Sequence, residues 1–159
     1  MTPAITVAKK AGITFSTHEY RHDPAHASYG LEAAEKLGLD PARVFKTLVA
    51  DVEGKGMVVA VLPVAHKLDL KALATAAGGK RAAMADKAQV MRSSGYVLGG
   101  VSPLGQKKKL PTFIDRSAQS LETLFVSAGR RGLEIELAPH DLASLTDARF
   151  ADLCQQGGA

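Results

Sequence analysis

The 159-residue sequence predicts an α+β fold on a mixed β-sheet. Two apolar runs, Val44 to Val52 and Met57 to Pro63, flank the turn Glu53-Gly54-Lys55-Gly56, as the arms of an antiparallel hairpin do. Capped segments of helical periodicity stand before, between and after the strand-like runs. Their irregular order departs from the strand–helix alternation of a doubly wound α/β fold.

Taken in order, Thr2 and Pro3 read as an N-cap and a first helical position, and Gly12 ends the helix they open. Ile13 to Tyr20 alternates and is rich in β-branched and aromatic residues, so it reads as a strand. Residues 21–28, with Asp23, Pro24 and Ser28, form a loop. Leu31, Ala34 and Leu37 share a helical stripe that Gly38 stops, and Asp40-Pro41 starts a short turn. After the hairpin, Asp69 opens a helix through Ala76, closed by Gly78-Gly79, and Asp86 caps one through Met91. Residues 95–111 hold four glycines and two prolines, which rules out a regular element of any length. Thr112–Asp115, Thr123–Ser127 and Leu133–Leu137 are three further strands. Leu142, Leu145, Phe150 and Leu153 belong to closing helices, with Cys154 packed in an amphipathic tail helix.

The length fits one domain, and such a chain buries roughly 70% of its unfolded surface without covalent staples. A net charge of +4 and a pI near 9.3 permit a polyanionic partner without demanding one. The single cysteine excludes an internal disulfide and a CxxC site, which suits a reducing compartment. The N-terminus carries no secretory signal pattern, and the most apolar segment, Met57 to Ala65, is about half the ~20 residues of a membrane span. The expectation is a cytoplasmic protein.

Several motifs fail on inspection. His18, His22 and His26 recur every four residues, but Pro24 and the strand-like context argue against a helical zinc face. Gly100 to Gly105 has phosphate-loop spacing, yet Gln106-Lys107 stands where Lys-Ser/Thr is required, and Pro103 removes a cradle N–H. Gly100-Val101-Ser102-Pro103-Leu104-Gly105 also misses the G-x-S-x-G nucleophile elbow by one residue.

Three signals stay open on composition and spacing alone. Strand alternation puts Lys46 on one face with Val44, Leu48 and Ala50, where it either snorkels from a strand end or lines a cavity. The Gly99-Gly100 pair is either a surface loop or a place where backbone N–H groups reach a ligand. Lys107-Lys108-Lys109 is either a solvated face or part of a basic patch with Arg130-Arg131 and Lys80-Arg81.

Lys46-Thr47-Leu48, Ala85-Asp86, Gly95-Tyr96, the run Gly99 to Lys108 and the run Val126 to Leu137 together closely resemble the YbaK family. The opening Met-Thr-Pro-Ala and the segment His18 to Pro24 match as well, so the resemblance spans residues 1 to about 153. It implies one α+β domain over residues 1–159, with a mixed, barrel-like sheet and surrounding helices, related to the editing domain inserted in bacterial prolyl-tRNA synthetases. It implies a trans-editing deacylase that removes cysteine from tRNA(Pro), with aminoacyl-tRNA and prolyl-tRNA synthetase as partners, no cofactor, no metal, and no role at DNA or membranes. Editing of this kind answers a physical limit, because a pocket rejects a ligand of similar or smaller volume only weakly.

By resemblance, Lys46 is the essential lysine, and Gly99 heads a Gly-x-x-x-Pro loop ending at Pro103; these two carry the catalytic expectation. Tyr20 and Ser127 match pocket residues, Tyr29 keeps an aromatic wall where relatives commonly have Phe, and Glu134 stands where a relative has a functional Asp. Thr47, Gly100, Ser102 and Pro103 complete the substrate-binding set. The implied chemistry is substrate-assisted: the cysteinyl thiol attacks its own ester carbonyl and leaves as a cyclic thiolactone. Two alternatives stand beside it: a deacylase for another mischarged tRNA such as Ala-tRNA(Pro), and a non-catalytic module binding tRNA or the synthetase.

Overall fold

The computed structural model describes residues 1–26 and 29–156, with the side chain of Tyr29 outside that set; Ser28 of the expected loop also lies outside it. Helix α1 (Pro3–Ala11) opens where expected: the Thr2 hydroxyl accepts the Ile5 N–H, and Gly12 at φ 69° closes the helix. Strand β1 (Phe15–Glu19), helix α2 (Tyr29–Leu37) and a 3₁₀ turn at Pro41–Arg43 capped by Asp40 follow. The hairpin is β2 (Phe45–Val52) and β3 (Gly56–Pro63), paired antiparallel through all eight residues of each arm. Next come α3 (Leu70–Ala76) capped by Asp69, β4 (Ala82–Met84), and α4 (Lys87–Ser94) capped by Asp86. The chain ends with β5 (Thr112–Asp115), a second 3₁₀ turn, β6 (Leu124–Arg130), β7 (Leu133–Leu137), α5 (Pro139–Thr146) and β8 (Arg149–Ala151).

Two sheets organise these elements. One is antiparallel, in the order β1-β7-β6; the other is mixed, in the order β4-β2-β3-β5-β8, with β5 parallel to both β3 and β8. The expected mixed sheet is present, but it is not closed into a barrel. The sheets meet at an isolated parallel bridge, Val44 to Phe125, after which β2 and β6 part.

The pairing leaves part of β2 open. Val59 sends its N–H to Pro111, away from β2, so its partner Val49 also turns its polar groups outward, and Ala85 N–H reaches the Val49 carbonyl there. By the same parity Thr47 points its N–H and C=O off the outer edge. Strand β4 covers that edge only from Ala50 to Val52.

Side-chain alternation along β2 sorts the core as the sequence predicts. Phe45 and Val49 join Val59, Val61, Val126 and Ile135 between the sheets. Leu48, Ala50 and Val52 join Leu62, Leu73, Phe113 and Leu153 on the opposite face. No helix among the described residues is long and apolar enough to cross a membrane.

The C-terminal expectation is corrected. α5 ends at Asp147, a left-handed residue at φ 51°, and Phe150 lies in β8, which adds to the sheet beside β5. Cys154 bridges Leu68 and sits in no helix. Parallel pairing to a distant strand overrides the local helical pattern here. Two smaller differences are β4, too short to show a period, and α4, which runs to Ser94 because Gly95 supplies the closing αL residue.

Candidate active site

Where β2 and β6 diverge, a cavity of about 700 Å³ opens. Its walls come from Phe45 to Val49 of β2, Ser127 of β6, Glu134 of β7, Tyr20 beyond β1, and Gly99 and Val101 of the loop after α4. Lys87 and Arg131 stand on its wall as well. Six expected site residues therefore meet: Tyr20, Lys46, Thr47, Gly99, Ser127 and Glu134.

Three others lie off the wall and hold the loop in shape. Gly100 is buried against the Arg130 backbone, where an added Cβ would stand 2.7 Å from Arg130 Cα. Ser102 is fully buried, and its hydroxyl accepts the Leu104 N–H at 3.2 Å. Pro103 is buried beside it. Tyr29 opens α2, but its side chain lies outside the described residues. The sequence does not point to Gly30, Met84, Lys87 or Leu98, which line the cavity and arrive there by tertiary packing; Arg131, named above only for a possible basic patch, lines it too.

The polar groups of the cavity are unevenly satisfied. The Thr47 hydroxyl is buried and has no hydrogen-bond partner among the described residues. An unmade bond of this kind costs about 1–3 kcal/mol. The Ser127 hydroxyl accepts the Gly129 N–H at 3.2 Å, next to a β-bulge that breaks the β6–β7 register before Arg130. Burial pushes the Glu134 carboxyl up to about 8, so near neutral pH it is largely an uncharged acid. Burial, reinforced by the nearby Glu134, pushes the Tyr20 phenol up to about 12.

Lys46 borders the cavity and lies opposite Leu62 in the hairpin. Burial lowers its pKa, and Cys154 opposes that effect, which places the amine within electrostatic reach of the Cys154 thiol. Burial pushes that thiol in turn up to about 12. Among the described residues no carboxylate forms an ion pair with Lys46.

The three histidines of the sequence pattern go to three glutamates: His18 to Glu136 at 2.9 Å, His22 to Glu32 at 2.7 Å and His26 to Glu35 at 3.1 Å. Glu32 is fully buried, and it also accepts the Asp23 N–H at 2.7 Å and pairs with Lys36 at 3.1 Å. It anchors the segment after Tyr20 to α2. Among the described residues neither histidine nor cysteine lines the cavity, which offers hydroxyls, a carboxyl held largely neutral by burial, strand-edge amides and cations.

Residues 23–145 match the family model of the aminoacyl-tRNA editing domain. The chain belongs to the aminoacyl-tRNA editing domain family. As an editing domain it is an aminoacyl-tRNA deacylase, which cleaves the ester between an amino acid and its tRNA. The editing domain is 40% identical, over 96% of its length and 92% of the relative's, to the candidate Cys-tRNA(Pro)/Cys-tRNA(Cys) deacylase EbsC of Enterococcus faecalis. Among solved structures it resembles the hypothetical protein APE2540, with a TM-score of 0.85 and 25% identity over 97% of this chain and 100% of that one. A candidate trans-editing enzyme for prolyl tRNA synthetase has the same fold, with a TM-score of 0.79 and 23% identity over 98% of this chain and 99% of that one.

Proposed function

We propose that this editing domain clears Cys-tRNA(Pro) in trans, with the substrate's own thiol as nucleophile. The observation that carries this reading is a cavity of ligand size whose described lining holds no histidine or cysteine. The name of the 40%-identical relative supports cysteine and tRNA(Pro) as the substrate pair.

In the reaction the cysteinyl sulfur forms a bond to the ester carbonyl carbon, and the bond from that carbon to the ribose oxygen breaks. The thiol proton ends on the ribose hydroxyl. The thiolactone released is then opened by water to free cysteine. An alanine ester has no such group, so the chemistry itself discriminates. Gly99 orients or polarises the carbonyl through its backbone, and Thr47 and Ser127 bind the amino-acid portion. Lys46 holds the terminal phosphate or ribose. The reading takes residues 1–159 as one domain that works in the cytoplasm beside prolyl-tRNA synthetase.

The test is loss of the ester from Cys-, Ala- and Pro-tRNA(Pro), with Lys46→Ala in parallel. Loss of cysteine alone, slowed about 10–100-fold in the variant, is expected. Loss of alanine would move the protein to the sister specificity and remove the thiol mechanism. Cleavage of none of the three, with synthetase added, would leave a binding module.

A further inference from the structure

We propose that the cavity rim formed by α4, the turn from Gly95 to Leu98 and the Lys107–Lys108 pair receives the phosphate backbone of the tRNA acceptor end; this rests on the deacylase reading above.

The rim is assembled from segments distant in sequence. Lys107 N–H donates to the Ser94 carbonyl at 3.0 Å and Lys108 N–H to the Ser93 carbonyl at 2.8 Å, which pins both lysines to the last turn of α4. Lys87, in the first turn of the same helix, stands at the cavity wall. The first and last residues of this helix, Lys87 and Ser94, stand about 10 Å apart along its axis. Across the loop, Arg131 Nε donates to the Leu98 carbonyl at 2.9 Å, and Gly100 packs on the Arg130 backbone. Cations thus border the segment Gly95–Val101, part of which walls the cavity. Lys80 and Arg81 stand elsewhere, with the Arg81 carbonyl tied to Glu53 at the β2–β3 turn.

Part of the positive charge here is spent internally and part is not. Arg130 pairs with Glu19 and Lys109 with Asp147, whereas Lys87, Lys107 and Lys108 form no ion pair among the described residues. Asp86, the acid adjoining Lys87, uses its carboxylate to cap the Gln89 N–H. Among the described residues the exposed large hydrophobics are Met1, Met84, Met91 and Val97, and the last three lie on β4, α4 and the turn that follows. Cations interleaved with exposed apolar side chains suit a strand of phosphates, sugars and bases. The scissile ester is carried by the last nucleotide, so the nucleotides before it must cross the mouth of the cavity that holds it.

Binding of uncharged tRNA, measured over a range of salt concentrations, tests this for the wild type, Lys107→Glu/Lys108→Glu and Lys107→Arg/Lys108→Arg. The charge-reversed protein should bind at least about tenfold more weakly at low salt, and the slope of log affinity against log salt should fall by about 0.7–0.9 for each phosphate no longer neutralised. The arginine variant should keep both. Wild-type affinity and slope in the reversed protein would overturn the proposal. So would weaker binding with an unchanged slope and a lowered melting temperature, which would mark a structural role. Intact tRNA binding with loss only of synthetase-dependent binding would overturn it in favour of a protein-docking face. Uncharged tRNA carries no ester, so failure of the deacylase reading would show separately, as absence of cleavage.

Discussion

Ser127 and Glu134 face each other across the β6–β7 ladder, and both line the cavity wall. The hydroxyl is held by the backbone of its own strand, while the carboxyl is 6% exposed and pushed up to about 8 by burial alone.

That carboxyl makes stability fall with rising pH. Below about 4.5 it is protonated in both folded and unfolded chains. From there to about 8 the unfolded chain loses the proton and the folded one keeps it, so stability declines through that window and then levels off. Glu134→Gln should remove a decline on the order of a few kcal/mol. Denaturant unfolding of both proteins between acid and alkaline pH measures it; identical pH profiles would contradict the burial argument.

Glu32 acts with the opposite sign. Burial works against its charge, but bonds from His22, the Asp23 N–H and Lys36 prevail and hold its pKa at about 2. The stability it supplies is present above about 4.5 and is lost as pH falls toward 2. Glu32→Gln should cost about 2–4 kcal/mol at neutral pH. Urea unfolding gives the cost, and faster hydrogen exchange at the Asp23 amide would show that the segment after Tyr20 has come loose.

Adjacent glycines should respond differently to alanine. Gly99 has φ 83°, so Ala there strains the backbone by about 1–2 kcal/mol and chiefly lowers ester cleavage. At Gly100 the new Cβ meets Arg130 Cα at 2.7 Å and Arg131 N at 3.1 Å, and overpacking of this kind costs about 1–3 kcal/mol or more. Melting temperature and single-turnover cleavage, measured on both variants, separate the two. Equal effects on both readouts would mean that Gly99 also serves structure alone.

Lys46→Ala should reduce kcat/KM by about 10–100-fold, the worth of one hydrogen bond from a charged donor. It should not lower the melting temperature, because a half-buried cation without an ion-pair partner contributes no stability to lose. A large drop in melting temperature with normal cleavage would reverse the assignment.

Much of the fold was legible because its signals are local. Thr2, Asp40, Asp69 and Asp86 announce the elements they cap, and two apolar arms around Glu53-Gly54-Lys55-Gly56 announce the hairpin. Helical spacing held for Leu142 and Leu145 in α5 but misled for Phe150, because β8 owes its form to β5, more than thirty residues away. The resemblance brought Tyr20, Lys46, Ser127 and Glu134 into one set, but no local pattern shows that they share a cavity. That follows from the parting of two strands after Val44 and Phe125 touch. Gly100, Ser102 and Pro103 sit inside a glycine-rich motif, yet Gly100 packs on Arg130, thirty residues away, so the motif alone does not reveal that it is support rather than wall.

An unpaired strand edge is ordinarily an invitation to aggregate, since a foreign chain can extend the sheet there. The uncovered stretch of β2 around Thr47 escapes that hazard by its position: it opens into a cavity faced by Ser127 and Glu134, and β4 seals the strand from Ala50 onward. The gap that admits a small ligand is thus withheld from a neighbouring chain. Loosening β4 would lengthen the accessible edge and favour self-association, a liability that light scattering would register before catalysis suffered.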